Sequence, residues 1–326
     1  MNRLRVPKKI YFKRGSMPVA LRELSEIYGC RKALLVSDAN LYKLRIIRPV
    51  EEYLKRQGIR TAEYFDLSED PTFDDAMRGL AKMQNFQPDV IIGVGGGSVM
   101  SMAKIMWLLH ENPDIDLEKM AEEHSVLPEE ESGVPLTGKK AMLVLAATTT
   151  GTGVECSPFA AAKDAAGKKR LIASYDLLPE MAIVDADYTG NMSDKLTRAC
   201  GRNTFVRAVD ACLTENASDY TRGFAGDAVR LVLENLPRAI KPGAEGADAK
   251  EKMATASVLA GMAVANSMRS VDPDMNAKER INACLDISTA EKRDILAGIA
   301  RFAGYTGTNE EALSAWIRAV DIIEIM

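Results

Sequence analysis

The feature that most constrains this chain is a change of period near residue 190. Before it, short apolar β-branched runs alternate with longer helical ones; after it, strand signals stop. Ile10–Phe12, Lys32–Asp38, Thr61–Phe65, Val90–Ile92, Ala141–Ala146 and Met181–Asp185 read as strands, because each is short, apolar and bounded by turn or charged residues. Helices are predicted over Met17–Ile27, with Leu21, Leu24 and Ile27 on one face, and over Ile46–Gln57, closed by Gly58. Another runs from Asp70-Pro71-Thr72 to about Met83, with Asp70 as cap and Pro71 in the first turn. Residues 111–139 are polar, broken by proline and glycine, and read as a short helix and a surface loop. Strand–helix alternation of this kind predicts a parallel sheet with helices on both faces.

Beyond Met192, segments 195–217, 223–238, 247–269, 276–285, 289–303 and 309–323 carry helical spacing, with turns at Gly223, Pro242-Gly243, Pro273 and Gly304. Met253, Met262 and Met268 there read as core packing. The expected fold class is therefore an α/β domain over residues 1–188, built on a parallel sheet, followed by an all-helical domain over 189–326.

Composition removes several function classes. The 326 residues are 47% hydrophobic, enough for a large core, and the net charge of −4 offers nothing to nucleic acid or an anionic membrane. Cys30, Cys156, Cys200, Cys212 and Cys284 form no C-x-x-C pair, which suits a reducing compartment rather than a disulfide framework. No apolar run approaches the roughly 20 residues a membrane span needs. The basic N-terminus has no apolar stretch behind it, as a signal peptide would. A cytoplasmic location is expected.

Chemistry is concentrated first at Gly93, Gly95, Gly96, Gly97 and Ser98, directly after the Val90–Ile92 strand. Ser98 stands where a helix cap is expected, and Met100, Ala103, Lys104, Met106 and Trp107 then follow a helical period. Strand, glycine turn and helix N-terminus together bind phosphate, because unpaired N–H groups and the helix dipole converge there. Neither the G-x-G-x-x-G fingerprint nor a P-loop is present, so a plain tight turn stays open. The second concentration is Thr148, Thr149, Thr150, Gly151, Thr152 and Gly153 at the end of the Ala141–Ala146 strand. Such hydroxyls suit a phosphate or ribose, or else cap their own turn. Asp38 ends its strand, where a carboxylate bonds ribose hydroxyls and repels a 2′-phosphate, favouring NAD over NADP; a surface turn residue is the alternative.

In this order the pieces resemble the iron-dependent alcohol dehydrogenase family, most of all the alcohol dehydrogenase half of bifunctional aldehyde–alcohol dehydrogenases. The motifs are the segment 4–16, Asp70-Pro71-Thr72, the glycine run with Ala103-Lys104-Ile105-Met106-Trp107, Thr148–Gly153 with Glu155 and Pro158-Phe159, and 179–185. The resemblance covers about residues 4–269. It implies a dinucleotide-binding domain, a helical domain and an active site in the cleft between them. It assigns the cofactor pyrophosphate to Gly95, Gly96, Gly97 and Ser98, cofactor-lining hydroxyls to Thr148, Thr149 and Thr152, and a ribose contact to Lys169. One departure is Ser101, where the family usually carries aspartate. Dimers or larger homo-oligomers are also implied, and assembly with an active dehydrogenase goes with the relic reading below.

The same resemblance implies a divalent metal, usually iron, held by one aspartate and three histidines. At the first two ligand positions this sequence has Asn203 and Arg207. Arginine stays protonated and cannot ligate. The two later histidines have no counterpart after Asn266, and the helical domain reads as shortened. His110 and His124, the two histidines present, match no ligand position. No metal is expected. Three readings follow: an NAD-binding relic with a structural or regulatory role, a metal-free oxidoreductase with Arg207 acting on a carbonyl oxygen, or a cleft turned to another ligand. For Arg207, an ion pair with Asp210 or Asp274 is the bland alternative.

Overall fold

The computed structural model describes residues 4–68, 70–123, 137–214, 217–267, 279, 282 and 287–325. The chain divides into two compact units. The sheet unit comprises Pro7–Thr149 and Val154–Tyr188, and the helical unit comprises Met1–Val6, Thr150–Gly153 and Thr189–Met326.

In the sheet unit the chain runs β1 (Lys9–Phe12), α1 (Ser16–Glu26), β2 (Lys32–Asp38), α2 (Ala39–Lys43), α3 (Arg48–Arg56), β3 (Arg60–Leu67) and α4 (Phe73–Phe86). It continues with β4 (Val90–Gly95), α5 (Gly97–Glu111), α6 (Leu117–Glu123) and β5 (Met142–Ala147). β6 (Phe159–Lys163), β7 (Lys169–Ala173), β8 (Met181–Val184) and the short α7 (Ala186–Thr189) complete it. Six strands form one parallel sheet in the order β1-β8-β5-β4-β2-β3.

Alternation along each strand explains the two layers of helices. Leu34, Ile91, Leu143 and Leu145 pack with Met100, Ala103 and Met106 of α5, while their neighbours Leu35, Ile92, Val144 and Ala146 pack with Leu21, Leu24, Val50 and Leu54 of α1 and α3. Burial on both faces requires strands that are apolar throughout, which is why these runs do not alternate with polar residues.

Several boundaries fall elsewhere than the sequence suggests. Thr72, not Asp70, caps α4: its hydroxyl accepts from Asp75 N, and the Asp75 carboxylate accepts from Thr72 N in return. Asp70 pairs instead with Lys163 at 2.9 Å. Asp38 caps a separate short helix, α2, so the following helix starts only at Arg48, with Pro49 in its first turn. The antiparallel hairpin β6–β7 is an addition, because Ala160-Ala161-Ala162 carries no β-branched signal.

The helical unit contains α8 (Asp194–Cys212), α9 (Asp219–Ala239), α10 (Gly243–Ala265), α11 (Ala290–Phe302) and α12 (Asn309–Ile325). Gly223 lies inside α9 rather than at a turn, because Ser218 starts that helix by accepting from Thr221 N. Helices α8, α9 and α10 pack on one another, and the Phe205 ring stacks on Trp316 at 5.2 Å. Met253 is buried, Met262 half-buried. Met268, the turn at Pro273 and most of the predicted helix 276–285 lie outside the described residues.

Candidate functional site

Strand order fixes where a ligand can sit on the sheet unit. From β2 the chain moves outward to β3, then returns across β2 to place β4 on its other side. The crossovers on either side of this point run in opposite directions, which opens a crevice at the carboxyl ends of β2 and β4. Asp38 ends β2, and Gly95 ends β4, with Gly96, Gly97 and Ser98 directly after it. The neighbouring strand, β5, pairs Ala147 with Gly95 and delivers Thr148 and Thr149 to the same edge.

The helix start differs from the sequence expectation. Gly96 is the cap residue of α5, Gly97 is already helical, and Ser98 is an exposed first-turn residue. No side chain caps this end, so the first-turn N–H groups have no protein oxygen supplied by a cap. Gly95 is forced by packing: a Cβ there would lie 2.6 Å from Val99 Cβ. A Cβ on Gly96 would lie 3.0 Å from the Thr149 hydroxyl. Thr148 N donates to Gly95 O at 3.0 Å, tying the two loops together. Gly95–Ser98 and Thr148–Thr149 therefore form one uncapped, hydroxyl-flanked cradle.

Two other expected cofactor residues have local roles as well. Asp38 Oδ1 accepts from Asn40 N and Leu41 N, both at 2.9 Å, so one carboxylate oxygen is committed to capping α2. Lys169 is exposed at the turn end of the β6–β7 hairpin, paired across it with Lys163. Lys163, and more weakly Lys169, hold the Asp70 carboxyl below its ordinary range.

Lys104 lies in the Ala103–Trp107 motif but carries no role from the sequence, although a lysine amid Met100–Leu109 is the signal that marks it. It is fully buried on α5. Its Nζ donates to Val154 O at 2.8 Å and Phe159 O at 3.2 Å, and also to Ser157 O. Burial pulls its ammonium down to about 7, against the upward pull of the Glu155 carboxylate. Lys104 thus ties the segment following the threonine loop to α5, beside the packing of Val154 and Ala160 with the core around that helix.

Residues 150–153 count with the helical unit, and Thr152 is half-buried there. Gly151 has φ +103° and Gly153 has φ +58°, both left-handed. Gly151 N donates to Ser257 Oγ at 2.7 Å, and Gly151 O accepts from Asn203 Nδ2 at 2.8 Å. A Cβ on Gly153 would lie 2.5 Å from Gly261 Cα, so α10 and this loop meet glycine to glycine.

Asn203 and Arg207 stand one turn apart on α8, both half-buried. Asn203 spends its amide nitrogen on Gly151 O, and Arg207 brings a permanent cation. His110 is buried on α5 in the sheet unit, its pKa lowered chiefly by burial, and His124 lies outside the described residues. Among the described residues no group of three or more His, Cys, Asp or Glu is assembled to hold a metal ion. The residues at 203 and 207 do not fit a dication held by one aspartate and three histidines.

Comparison with known proteins places these observations. Residues 7–186 match the domain described as iron-containing alcohol dehydrogenase, and residues 197–310 match the C-terminal domain of the Fe-containing alcohol dehydrogenase family. Aldehyde-alcohol dehydrogenase 2 of Entamoeba histolytica is 36% identical over 96% of this chain and 35% of its own length. The chain spans about a third of the length of the curated relatives it matches first. A solved 1,3-propanediol oxidoreductase superposes with a TM-score of 0.83 at 27% identity, over 100% of this chain and 86% of that one. A sulfoacetaldehyde reductase from Bifidobacterium kashiwanohense, solved in complex with NAD+, shares the fold with a TM-score of 0.82 at 19% identity, over 100% and 85%. The chain belongs to the iron-containing alcohol dehydrogenase family.

Proposed function

We propose that this chain is an NAD(H)-binding member of the family that has given up the family's metal chemistry and serves a structural or regulatory role. The observation that carries the reading is the uncapped start of α5 at Gly96–Gly97, flanked by the Thr148 and Thr149 loop at the point where strand order reverses. In this reading the first-turn N–H groups and the helix dipole hold the pyrophosphate. The Thr148, Thr149 and Thr152 hydroxyls line the dinucleotide, and Lys169 reaches its ribose. The second oxygen of Asp38 faces the ribose and selects NAD over NADP. NAD+ in a structural relative of the same fold supports this choice of cofactor. The bound nicotinamide supplies hydride-transfer chemistry; without ligands for a Lewis acid, the carbonyl or alcohol oxygen loses its usual polarising partner. Such a protein would assemble with itself or with an active dehydrogenase.

A second reading keeps activity. In it the Arg207 guanidinium, one turn after Asn203, would be the electrophile for a carbonyl oxygen and a hydroxyl or water the proton donor, with a bound nicotinamide supplying the hydride. Fluorescence titration with NADH tests the shared part. Saturable binding at one site per chain is expected, and its absence up to millimolar cofactor refutes both readings. NADH oxidation by short aldehydes then separates them: no turnover is expected. Turnover abolished by Arg207→Ala establishes the second reading, and turnover indifferent to that change removes Arg207 from the chemistry.

A further inference from the structure

At the position where the family carries a metal-binding aspartate, this chain has a hydrogen-bond donor that is already in use. Asn203 Nδ2 donates to Gly151 O at 2.8 Å, while Gly151 N donates to Ser257 Oγ at 2.7 Å. One peptide unit on each side of Gly151 is thus fixed, from α8 by Asn203 and from α10 by Ser257. The backbone leaves little slack. Gly151 is at φ +103°, and a Cβ there would lie 2.7 Å from Cys200 O. Gly151 and Ser257 are buried, Asn203 half-buried, so water replaces neither bond well. An aspartate cannot make this contact when ionised: it offers only acceptors, and its charge would face the Gly151 carbonyl oxygen.

We propose that Asn203 is a positioning residue, clamping Gly151 against Ser257 so that residues 150–153, Thr152 among them, are held in one conformation. The asparagine is a replacement with a function of its own, and returning the family's aspartate disorders the loop rather than restoring a metal site. The link from the clamp to cofactor affinity rests on the NAD(H) reading given above; the clamp itself does not.

Two measurements on the full chain keep those parts separable. Amide hydrogen exchange, followed by mass spectrometry without cofactor, is compared for wild type, Asn203→Asp and Asn203→Ala. Exchange over residues 150–153 is expected to rise about tenfold, the size of one buried hydrogen bond lost. The melting temperature should fall by only a few degrees and exchange over α8 should rise less than over the loop, whereas a general loss of helix stability would raise both alike. NAD+ affinity by calorimetry is expected to fall about tenfold in Asn203→Asp, with less than about one-tenth of an iron or zinc ion gained per chain. Unchanged exchange at 150–153 overturns the clamp, and stoichiometric metal in Asn203→Asp overturns the claim that the ligand set is beyond repair. Raised exchange with unchanged affinity overturns the link to the cofactor. If wild type itself binds no NAD+, the cofactor reading fails while the exchange data still decide the clamp. Should Asn203→Asp fail to fold, Ser257→Ala removes the opposite bond and is read the same way.

Discussion

Lys104 shows how much one side chain contributes here. A charged group is rarely buried without partners, and this one has three carbonyl oxygens, of Val154, Ser157 and Phe159. Its pKa, lowered by burial to about 7, lies below the ordinary 10.5. Between those values the unfolded chain binds one proton more than the folded chain, so stability rises with pH across that window and falls as pH drops to 7. The slope is at most about 1.4 kcal/mol per pH unit. Cys30 and Cys212, raised by burial to about 12, oppose it only above pH 9, where an unfolded thiol begins to ionise. Denaturant titrations from pH 7 to 8.5 should show this slope in wild type and its loss in Lys104→Met. An identical slope in both would mean that the three carbonyls keep Lys104 charged throughout. Residues of this kind were the least legible in the sequence. The glycines announced themselves by type, but the partners of Lys104 and Asn203 are backbone atoms 50 or more positions away, which no local pattern records. Asp38 was visible as a strand-end carboxylate, whereas its service as a helix cap depended on where α2 begins.

At the level of elements, β4 and α5 are joined by a turn that tolerates no added atoms. Gly95→Ala sets a methyl 2.6 Å from Val99 Cβ and must displace the first turn of α5. Stability should fall by about 1–3 kcal/mol, as overpacking usually costs, and NAD+ affinity should fall with it. Full affinity in a folded Gly95→Ala protein would show that the helix start is not the phosphate site. Core strands were readable because burial on both faces leaves an unbroken apolar run, as in Leu34-Leu35-Val36 and Ile91-Ile92. Caps were less so. Asp70 and Thr72 are both good cap residues two positions apart, and the reciprocal bonds of Thr72 with Asp75 decide between them. Ser98 lost to Gly96 because the helix begins one residue before the serine. The β6–β7 hairpin, with the alanine run Ala160–Ala162 filling most of β6, offered too little β-branched sequence to be read as strands.

For the whole molecule, the order of strands was beyond the sequence, since alternation predicts a parallel sheet without saying which strand lies beside which. That order places the Gly95–Ser98 turn next to Asp38 and the Thr148–Thr149 loop. Nor does sequence position reveal that residues 150–153, flanked on both sides by sheet-unit segments, count with the helical unit. No helix among the described residues is long and apolar enough to cross a membrane. The central claim is that this family member keeps the dinucleotide cradle and lacks a donor set for the metal. A crystal structure of the protein grown with saturating NADH and ferrous iron tests it most directly. The account predicts the cofactor pyrophosphate on the Gly95–Ser98 turn, with Asn203 still bonded to Gly151 and no metal ion coordinated by Asn203 or at Arg207. An iron ion coordinated at Asn203, or a glycine turn left empty at saturating cofactor, would contradict it.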